Sequence, residues 1–141
     1  GAACSRIEID RNRHPDDHGR TLRLAFGGAI GLDLGEQGFS FCGWETKLGG
    51  LDLSGCHAVQ FRIRGNKGGE CPNIYLEDGV VRRCAAIAKC GKVATEWSDI
   101  SIPLADFAAK GVDLTHVEGL EFIFEWNESS GTVWVDDIWF R

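Results

Sequence analysis

The last third of the chain shows a period-two alternation of hydrophobic residues. Leu120, Phe122 and Phe124 occupy every second position, as in a strand that buries one face and exposes the other. Val133 and Val135 repeat the pattern after a turn that contains Ser and Gly. These two segments predict an antiparallel hairpin whose apolar face needs a second layer to cover it.

Shorter segments upstream carry the same strand pattern. Val59, Phe61 and Ile63 face one way in HAVQFRIRG, and the polar residues between them face the other way. A helical pattern appears in LADFAAK, which ends at Gly111. Together with the remaining apolar segments, the pattern predicts about nine or ten strands. We therefore predict an all-β fold, a β-sandwich of two antiparallel sheets, in a single domain over residues 1–141.

The composition agrees with this fold and excludes some classes of binding partner. A chain of 141 residues supports one hydrophobic core, and its 19 glycines suit many tight turns. The formal net charge of −6 gives no attraction to nucleic acid or to an anionic membrane. No apolar run approaches the roughly 18 residues of a transmembrane helix. We expect no nucleic acid, no membrane and a monomer.

Six cysteines are many for a reduced chain of this length. None has the CxxC spacing of a zinc site, so disulfides formed in an oxidising compartment are the better interpretation. A hairpin that turns at the Asp-Gly of NIYLEDG would hold Cys71 and Cys90 at its open end. We predict that bridge first, and Cys42–Cys56 second.

Polar and aromatic side chains point outward on neighbouring predicted strands. Arg62 and Arg64 do so in HAVQFRIRG, beside Tyr75 and Glu77 of NIYLED and Arg83 of the next strand. Such a face can hydrogen-bond sugar hydroxyls and stack on a sugar ring. It is also what a solvated sheet face with cross-strand ion pairs looks like. Sequence parity alone leaves both interpretations open.

The tryptophans differ in their expected surroundings. Trp44 and Trp126 lie at strand ends near turns, where exposed aromatic residues often serve recognition, so both are candidate ligand contacts. Trp134 alternates with two valines and is expected to point outward. Trp97 is expected to pack, and Trp139 to be buried against the first strand.

Four segments in order resemble the successive blocks of β-jelly-roll carbohydrate-binding modules: LDLSGCHAVQFRIRG, EWSDISIPLADF, GVDLTHVEGLEFIF and GTVWVDDIWF. These modules belong to the galactose-binding-like superfamily, and the resemblance is nearest to families 11 and 30. It implies a non-catalytic module of a secreted polysaccharide-degrading enzyme that binds β-glucan in a cleft across the concave sheet. The same blocks also resemble the intermediate-associated domain of respiratory complex I assembly factors, an intracellular protein-interaction version of the fold.

The resemblance implies particular ligand contacts. Gln37 and Phe39 of QGFSF match the family positions at which a polar residue and an aromatic residue face the glycan. Glu118 and Phe124 match a second polar and aromatic pair, with Phe in place of the more usual Tyr. The family's longer loop after the DF motif, which supplies further contacts, is short here.

A structural calcium ion is common in this superfamily. If Ca²⁺ binds, the resemblance implies that its oxygen ligands are Glu8 or Asp10 together with Asp136, because the two chain ends are expected to meet at the closing strand. An ordinary surface role for these acids is an equal alternative, since the opening strand is short.

These observations predict a secreted, non-catalytic module that binds mixed-linkage β-glucan or cellulose-type chains and holds an attached glycoside hydrolase near its polysaccharide. An intracellular interaction domain of the complex I type is one alternative, and free thiols would favour it. A small glycan-cleaving enzyme is another, and it needs two carboxylates facing each other across a cleft. The acids available for such a pair are Glu77, Asp78, Asp99, Glu121 and Glu125.

Overall fold

The computed structural model describes residues 7, 21–26, 42–86, 92–124 and 131–141. Within these ranges the chain forms eight strands and one short helix. The strands are β1 (Leu22–Phe26), β2 (Cys42–Leu51), β3 (Ala58–Gly65), β4 (Asn73–Glu77), β5 (Arg82–Ala86), β6 (Ser98–Pro103), β7 (Val117–Phe124) and β8 (Gly131–Phe140), and the helix α1 is Leu104–Ala108. In the described part of the chain, no helix is long and apolar enough to cross a membrane.

The strands form two antiparallel sheets of four strands each. Sheet A has the order β1-β8-β3-β6, and sheet B has the order β2-β7-β4-β5. The predicted closing hairpin is wrong, because β7 pairs with β2 and β4 whereas β8 pairs with β1 and β3. The chain therefore crosses between the layers after β7, and each sheet covers the apolar face of the other. The predicted all-β sandwich is confirmed.

The core lies between the two sheets. Phe61 of sheet A meets Phe122 of sheet B edge-on, with ring centroids 5.0 Å apart. Trp44 of β2 lies against the same Phe122 ring at 5.8 Å. Fully buried aliphatic residues surround these rings and contribute to the core from both layers: Val59, Ile63, Ile74, Leu76, Ile100, Ile102, Leu120, Val133, Val135 and Ile138.

A β-bulge in β8 decides which of its residues leave the core. Val135 faces the core, but beyond it Asp137 and Ile138 together oppose the single residue Phe61 of β3, and Asp137 adopts a φ of 49°. The extra residue shifts the alternation by one position, so Ile138 is buried and Trp139 faces outward. The prediction that Trp139 is buried against the first strand is therefore wrong.

One carboxylate beside sheet B accepts hydrogen bonds from two different loops. Asp78 Oδ1 accepts hydrogen bonds from the N–H groups of Val80 and Val81, at 2.8 and 2.7 Å. Asp78 Oδ2 accepts a third from the N–H of Asp113 at 2.8 Å. These bonds, that of Val81 above all, lower the pKa of Asp78 from 3.8 to about 2. The β4–β5 turn and the loop after α1 are thus joined through one side chain.

Ile7 lies beside the closing strand, because its N–H donates to the Ile138 carbonyl at 2.9 Å. The rest of the predicted opening strand lies outside the described residues.

The described cysteines are in different states. Cys71 and Cys84 carry thiols, so the predicted Cys71–Cys90 bridge is wrong. The predicted hairpin of β4 and β5 is present, with Asn73 opposite Ala86. Cys56 is disulfide-bonded, and its partner lies outside the described side chains, so the Cys42–Cys56 pairing stays a prediction.

Candidate functional site

The outer face of sheet B gathers polar side chains around the single tyrosine of the chain. Tyr75 of β4 pairs with Glu121 of β7 on one side and with Cys84 of β5 on the other. Directly paired residues point to the same face. These side chains therefore leave the sheet on the side opposite the buried Ile74 and Leu76. We call the outward residues Tyr75, Glu77, Arg82 and Glu121 the polar strip.

Arg82 is the centre of the polar strip. Its guanidinium carbon lies 3.6 Å from the centroid of the Tyr75 ring, and its Nε donates to Glu121 Oε2 at 2.6 Å. Burial lowers the pKa of Arg82, but the hydrogen bond and charge of Glu121, with a smaller effect of Tyr75, outweigh burial and raise this pKa above its ordinary value. The Arg82 side chain is 42% exposed. The cluster thus holds a charged guanidinium over the tyrosine with donor groups at the surface.

Two glycines allow neighbouring side chains to pack closely beside the polar strip. A Cβ added at Gly43 of β2 would lie 2.4 Å from Ile123 Cδ1 and 2.5 Å from the Phe122 carbonyl oxygen. A Cβ added at Gly119 of β7 would lie 2.9 Å from Glu77 Oε1. The Ile123 and Glu77 side chains therefore lie across the glycines, at a distance that a residue with a Cβ would not allow.

The chemistry of the polar strip suits a neutral ligand rich in hydroxyl groups. A hydroxyl both donates and accepts hydrogen bonds, and the strip offers guanidinium donors next to the carboxylate acceptors of Glu77 and Glu121. Carboxylates outnumber the guanidinium in the strip, so its charge disfavours an anionic ligand. The ring of Tyr75, 9% exposed, serves as the support beneath Arg82.

The predicted polar surface is divided between the two sheets. Tyr75 and Glu77 lie on sheet B, whereas Arg62 and Arg64 lie on β3 of sheet A, whose outer face points away from sheet B. The prediction of one shared surface is wrong because β3 and β4 follow each other in sequence but pair with different neighbours. Arg62 instead forms an ion pair with Asp99, with 3.5 Å between Nε and Oδ1.

Two predicted aromatic contacts face the core. Phe124 is 2% exposed and points to the same side of β7 as Leu120 and Phe122. Its assignment as a ligand contact is therefore wrong. Trp44 pairs directly with Phe122 and packs on the same side of the sheet. Its indole supports the edge of the core, and it does not lie on the outer face of sheet B.

Two further predicted contacts lie at the margins of sheet B. Arg83 pairs with Leu76, so it leaves the edge strand β5 on the core-facing side and donates to the Lys110 carbonyl at 3.1 Å. Glu118 lies near the start of β7, with its Oε1 at 2.6 Å from His116 Nε2. Neither side chain joins the polar strip.

Three predicted contacts, Gln37, Phe39 and Trp126, lie outside the described residues and stay predictions.

The described residues include only part of the predicted calcium site. Glu8 and Asp10 lie outside the described residues. Asp136 accepts hydrogen bonds from the Asp137 N–H at 2.8 Å and from Thr21 Oγ1 at 3.5 Å. Ca²⁺ requires six to eight oxygen ligands, and among the residues described here no group of three or more His, Cys, Asp or Glu could hold a metal ion. Calcium binding therefore stays a prediction that depends on the two residues near the start.

Arg82 was missed by the sequence analysis. The segment VVRRCAAI has two adjacent arginines, and its apolar residues do not alternate in a way that shows which arginine faces out. A signal was present in the predicted hairpin turn, because the register that follows from this turn makes Arg82 the partner of Glu77. Glu121 was considered only as a possible catalytic acid.

Comparison with known families decides what kind of domain this is. The model of the family described as Carbohydrate binding domain 30 matches residues 9–141. The chain belongs to carbohydrate-binding module family 30. The resemblance carried by the four sequence blocks is confirmed, and the family is one of binding modules. A search of curated proteins finds no match.

Solved structures share the fold of this family 30 module. A family 30 module of the cellulosomal cellulase Cel9D-Cel44B of Clostridium thermocellum is 24% identical, with a TM-score of 0.67, and the match covers 100% of this chain and 83% of that chain. A family 11 module from Clostridium thermocellum, in complex with a β-1,3-1,4-mixed-linked tetrasaccharide, is 18% identical, with a TM-score of 0.64 and coverage of 99% and 84%. A β-1,2-glucanase from Parabacteroides distasonis is 17% identical, with a TM-score of 0.61, and the match covers 86% of this chain and 18% of that chain. The predicted jelly-roll architecture is confirmed.

Proposed function

We propose that this family 30 module binds β-glucan, of the mixed-linkage or cellulose type, on the outer face of sheet B, and that it keeps an attached glycoside hydrolase at its polysaccharide. The observation that carries the proposal is the Arg82 cluster, in which Tyr75 and Glu121 hold one guanidinium in place at the surface. A β-glucan chain is uncharged and presents hydroxyls along both edges, which is the ligand chemistry that the polar strip suits.

Pre-organisation explains how an arginine contributes affinity here. A free arginine side chain loses rotamer entropy when it is fixed by a ligand. Arg82 is already held by the 2.6 Å hydrogen bond to Glu121 and by the Tyr75 ring, so less entropy is lost on binding. Its hydrogen bonds to sugar hydroxyls are charge-assisted, and such bonds contribute about 1.5–3 kcal/mol each.

Relatives support the ligand class and the role. The family 11 module with a similar fold was solved in complex with a β-1,3-1,4-mixed-linked tetrasaccharide. The family 30 relative is part of a cellulosomal cellulase, and the similar region of the β-1,2-glucanase is a small share of that chain. An attached module raises the effective concentration of cleavable bonds near the catalytic domain, without chemistry of its own.

Secretion is part of the proposal. The disulfide at Cys56 and the total of six cysteines support an oxidising compartment. A polysaccharide substrate outside the cell requires the same location for the module and its enzyme.

The test is affinity electrophoresis through native gels that contain barley mixed-linkage β-glucan, hydroxyethylcellulose, xyloglucan, xylan or no polysaccharide. We expect retardation by one or more of the glucans. Arg82→Ala should weaken binding by about 10-fold to 100-fold, the equivalent of one lost charge-assisted hydrogen bond or somewhat more.

Arg83→Ala is the matched control, because it removes the same side chain from the next position of the same strand, where it points away from the polar strip. It should be retarded like the unmodified module. Unchanged mobility in all gels would contradict the β-glucan proposal. Release of reducing ends from any of these polysaccharides would contradict a purely binding role.

A further inference from the structure

The outer face of sheet A, on the opposite side of the sandwich from the polar strip, interleaves arginines with tryptophans. The Arg64 guanidinium lies 4.1 Å from the centroid of the Trp134 ring and 5.5 Å from that of Trp97. Arg62 lies 5.3 Å from the Trp97 ring. Trp134 points outward, as predicted, and Trp97 is 36% exposed. These cation–π contacts join the arginines and tryptophans into one row on this face of the sheet.

A pocket of about 470 Å³ opens next to this row. It lies over the centre of the face, where Gln60 of β3 pairs with Ser101 of β6 on one side and with Trp139 of β8 on the other. The Gln60 Nε2 donates to Ser101 Oγ at 3.3 Å, which keeps the floor low and polar. Four charged side chains also line the pocket, namely Arg62, Asp99, Asp137 and Arg141.

The pocket depends on the β-bulge in β8. Without the extra residue at Asp137, the alternation of β8 would turn Trp139 into the core. The bulge places Asp137 in a left-handed conformation, with φ at 49°, which costs about 1 kcal/mol for a residue with a Cβ. Bulges of this kind often redirect a side chain at a functional site. Here the redirected side chain is the large flat ring of the pocket.

The pocket chemistry points to a neutral sugar. Two arginines and two aspartates line it, so their formal charges balance and neither an anion nor a cation is favoured. Hydrogen-bond donors and acceptors line the pocket together with a tryptophan, the combination that recognises the hydroxyls and the apolar face of a pyranose. The volume lies within the range of about 300–1,000 Å³ that small-ligand pockets occupy.

We propose that this pocket is a second glycan-binding site, which takes a pyranose unit of a neutral polysaccharide stacked on Trp139. Arg141 lies over the Trp139 ring at 4.6 Å and is exposed. The sugar ring takes the position of this guanidinium, which then donates to its hydroxyls. With sites on both outer faces, one module bridges two polysaccharide chains, and simultaneous engagement on an insoluble surface raises the overall affinity.

The test is an NMR titration of the ¹⁵N-labelled module with cellotetraose and with a β-1,3-1,4-mixed-linked tetrasaccharide. The expected result is two groups of shifting signals with separate saturation curves. One group contains the Trp139 indole N–H and the amides of Gln60 and Ser101, and the other contains the amides of Tyr75 and Glu121. Trp139→Ala should weaken the first group by about tenfold and leave the second unchanged.

Arg62→Ala is a second variant that keeps the aromatic ring, and it should also weaken the first group. Arg64→Ala is its matched control, because Arg64 lies two positions along the same face but does not line the pocket. Shifts confined to the sheet B signals would overturn the second site and leave the proposed function standing. Shifts confined to the sheet A signals would support the second site and contradict the proposed binding on the outer face of sheet B. No shifts with either sugar, or equal weakening by Arg62→Ala and Arg64→Ala, would overturn the second site.

Discussion

Arg82 and Arg83 are neighbours with the same side chain, yet they leave β5 on opposite faces. Arg82 pairs with Glu77 and joins the polar strip, whereas Arg83 pairs with Leu76 and turns to the Lys110 carbonyl. A strand side chain is assigned to one face by parity alone, so two identical residues acquire different roles one position apart. The same rule removes Phe124 from the ligand contacts, although its residue type suits them.

The close packing at Gly43 predicts the effect of a single substitution on stability. Gly43→Ala should destabilise the fold by about 1–3 kcal/mol, because the new Cβ would meet backbone that cannot move aside. The obstacle is the Phe122 carbonyl oxygen, 2.5 Å from the added atom. Urea denaturation measures the change in the free energy of unfolding.

Gly55→Ala is the control for Gly43→Ala, since a Cβ at Gly55 meets nothing within 4 Å. It should change the free energy of unfolding by less than about 0.5 kcal/mol. Equal effects of the two substitutions would show that Gly43 is not needed for close packing between β2 and β7.

At the scale of elements, strands were easier to predict than their partners. Alternation marked β3 and β7 in the sequence, and NIYLED with VVRRCAAI formed the expected hairpin of β4 and β5. The pairing of β7 with β2 and β4 was not predictable, because contacts between residues far apart in sequence leave no local pattern. The bulge at Asp137 was missed for the related reason that a period-two pattern does not show an inserted residue.

The β4–β5 turn gives a prediction about pH. The carboxylate of Asp78 has a pKa of about 2 in the folded protein, against 3.8 for the free group, so the folded state favours its charged form. Its contribution to stability is therefore complete above pH 3.8 and is lost as the pH falls towards 2. Asp78→Asn should lower the melting temperature at neutral pH, and the difference from the unmodified protein should shrink over that acidic range.

Thermal unfolding followed by circular dichroism across this pH range measures the effect of Asp78→Asn. Asp106→Asn is the control, because Asp106 is exposed at the start of α1. A difference between Asp78→Asn and the unmodified protein that stays constant down to pH 2 would show that the carboxylate charge is not what holds the two loops.

At the scale of the whole molecule, one core supports two outer faces with different chemistry. Sheet B carries the polar strip, and sheet A carries the pocket beside its row of arginines and tryptophans. The sequence indicated the family and several of the outward residues, but it placed Arg62 and Tyr75 on one surface. Division of residues between layers is a consequence of strand order, which the sequence pattern does not contain.

The contact between Phe61 and Phe122 joins the two layers and gives a prediction at this scale. Phe122→Ala should lower the free energy of unfolding by about 3–5 kcal/mol, because it leaves a cavity between the sheets and removes the rings' mutual packing. Chemical denaturation measures the loss. Val80→Ala is the control, because Val80 is 93% exposed and should contribute almost nothing. A loss below about 1 kcal/mol for Phe122→Ala would contradict the packing of the two sheets through this pair.

The measurement that tests the central claim most directly is isothermal titration calorimetry with a β-1,3-1,4-mixed-linked tetrasaccharide, comparing the unmodified module, Arg82→Ala and Arg83→Ala. The proposal predicts binding by the unmodified module and by Arg83→Ala, and an association at least about tenfold weaker for Arg82→Ala. Equal affinities for the two variants, or no binding by the unmodified module, would contradict a β-glucan site centred on Arg82.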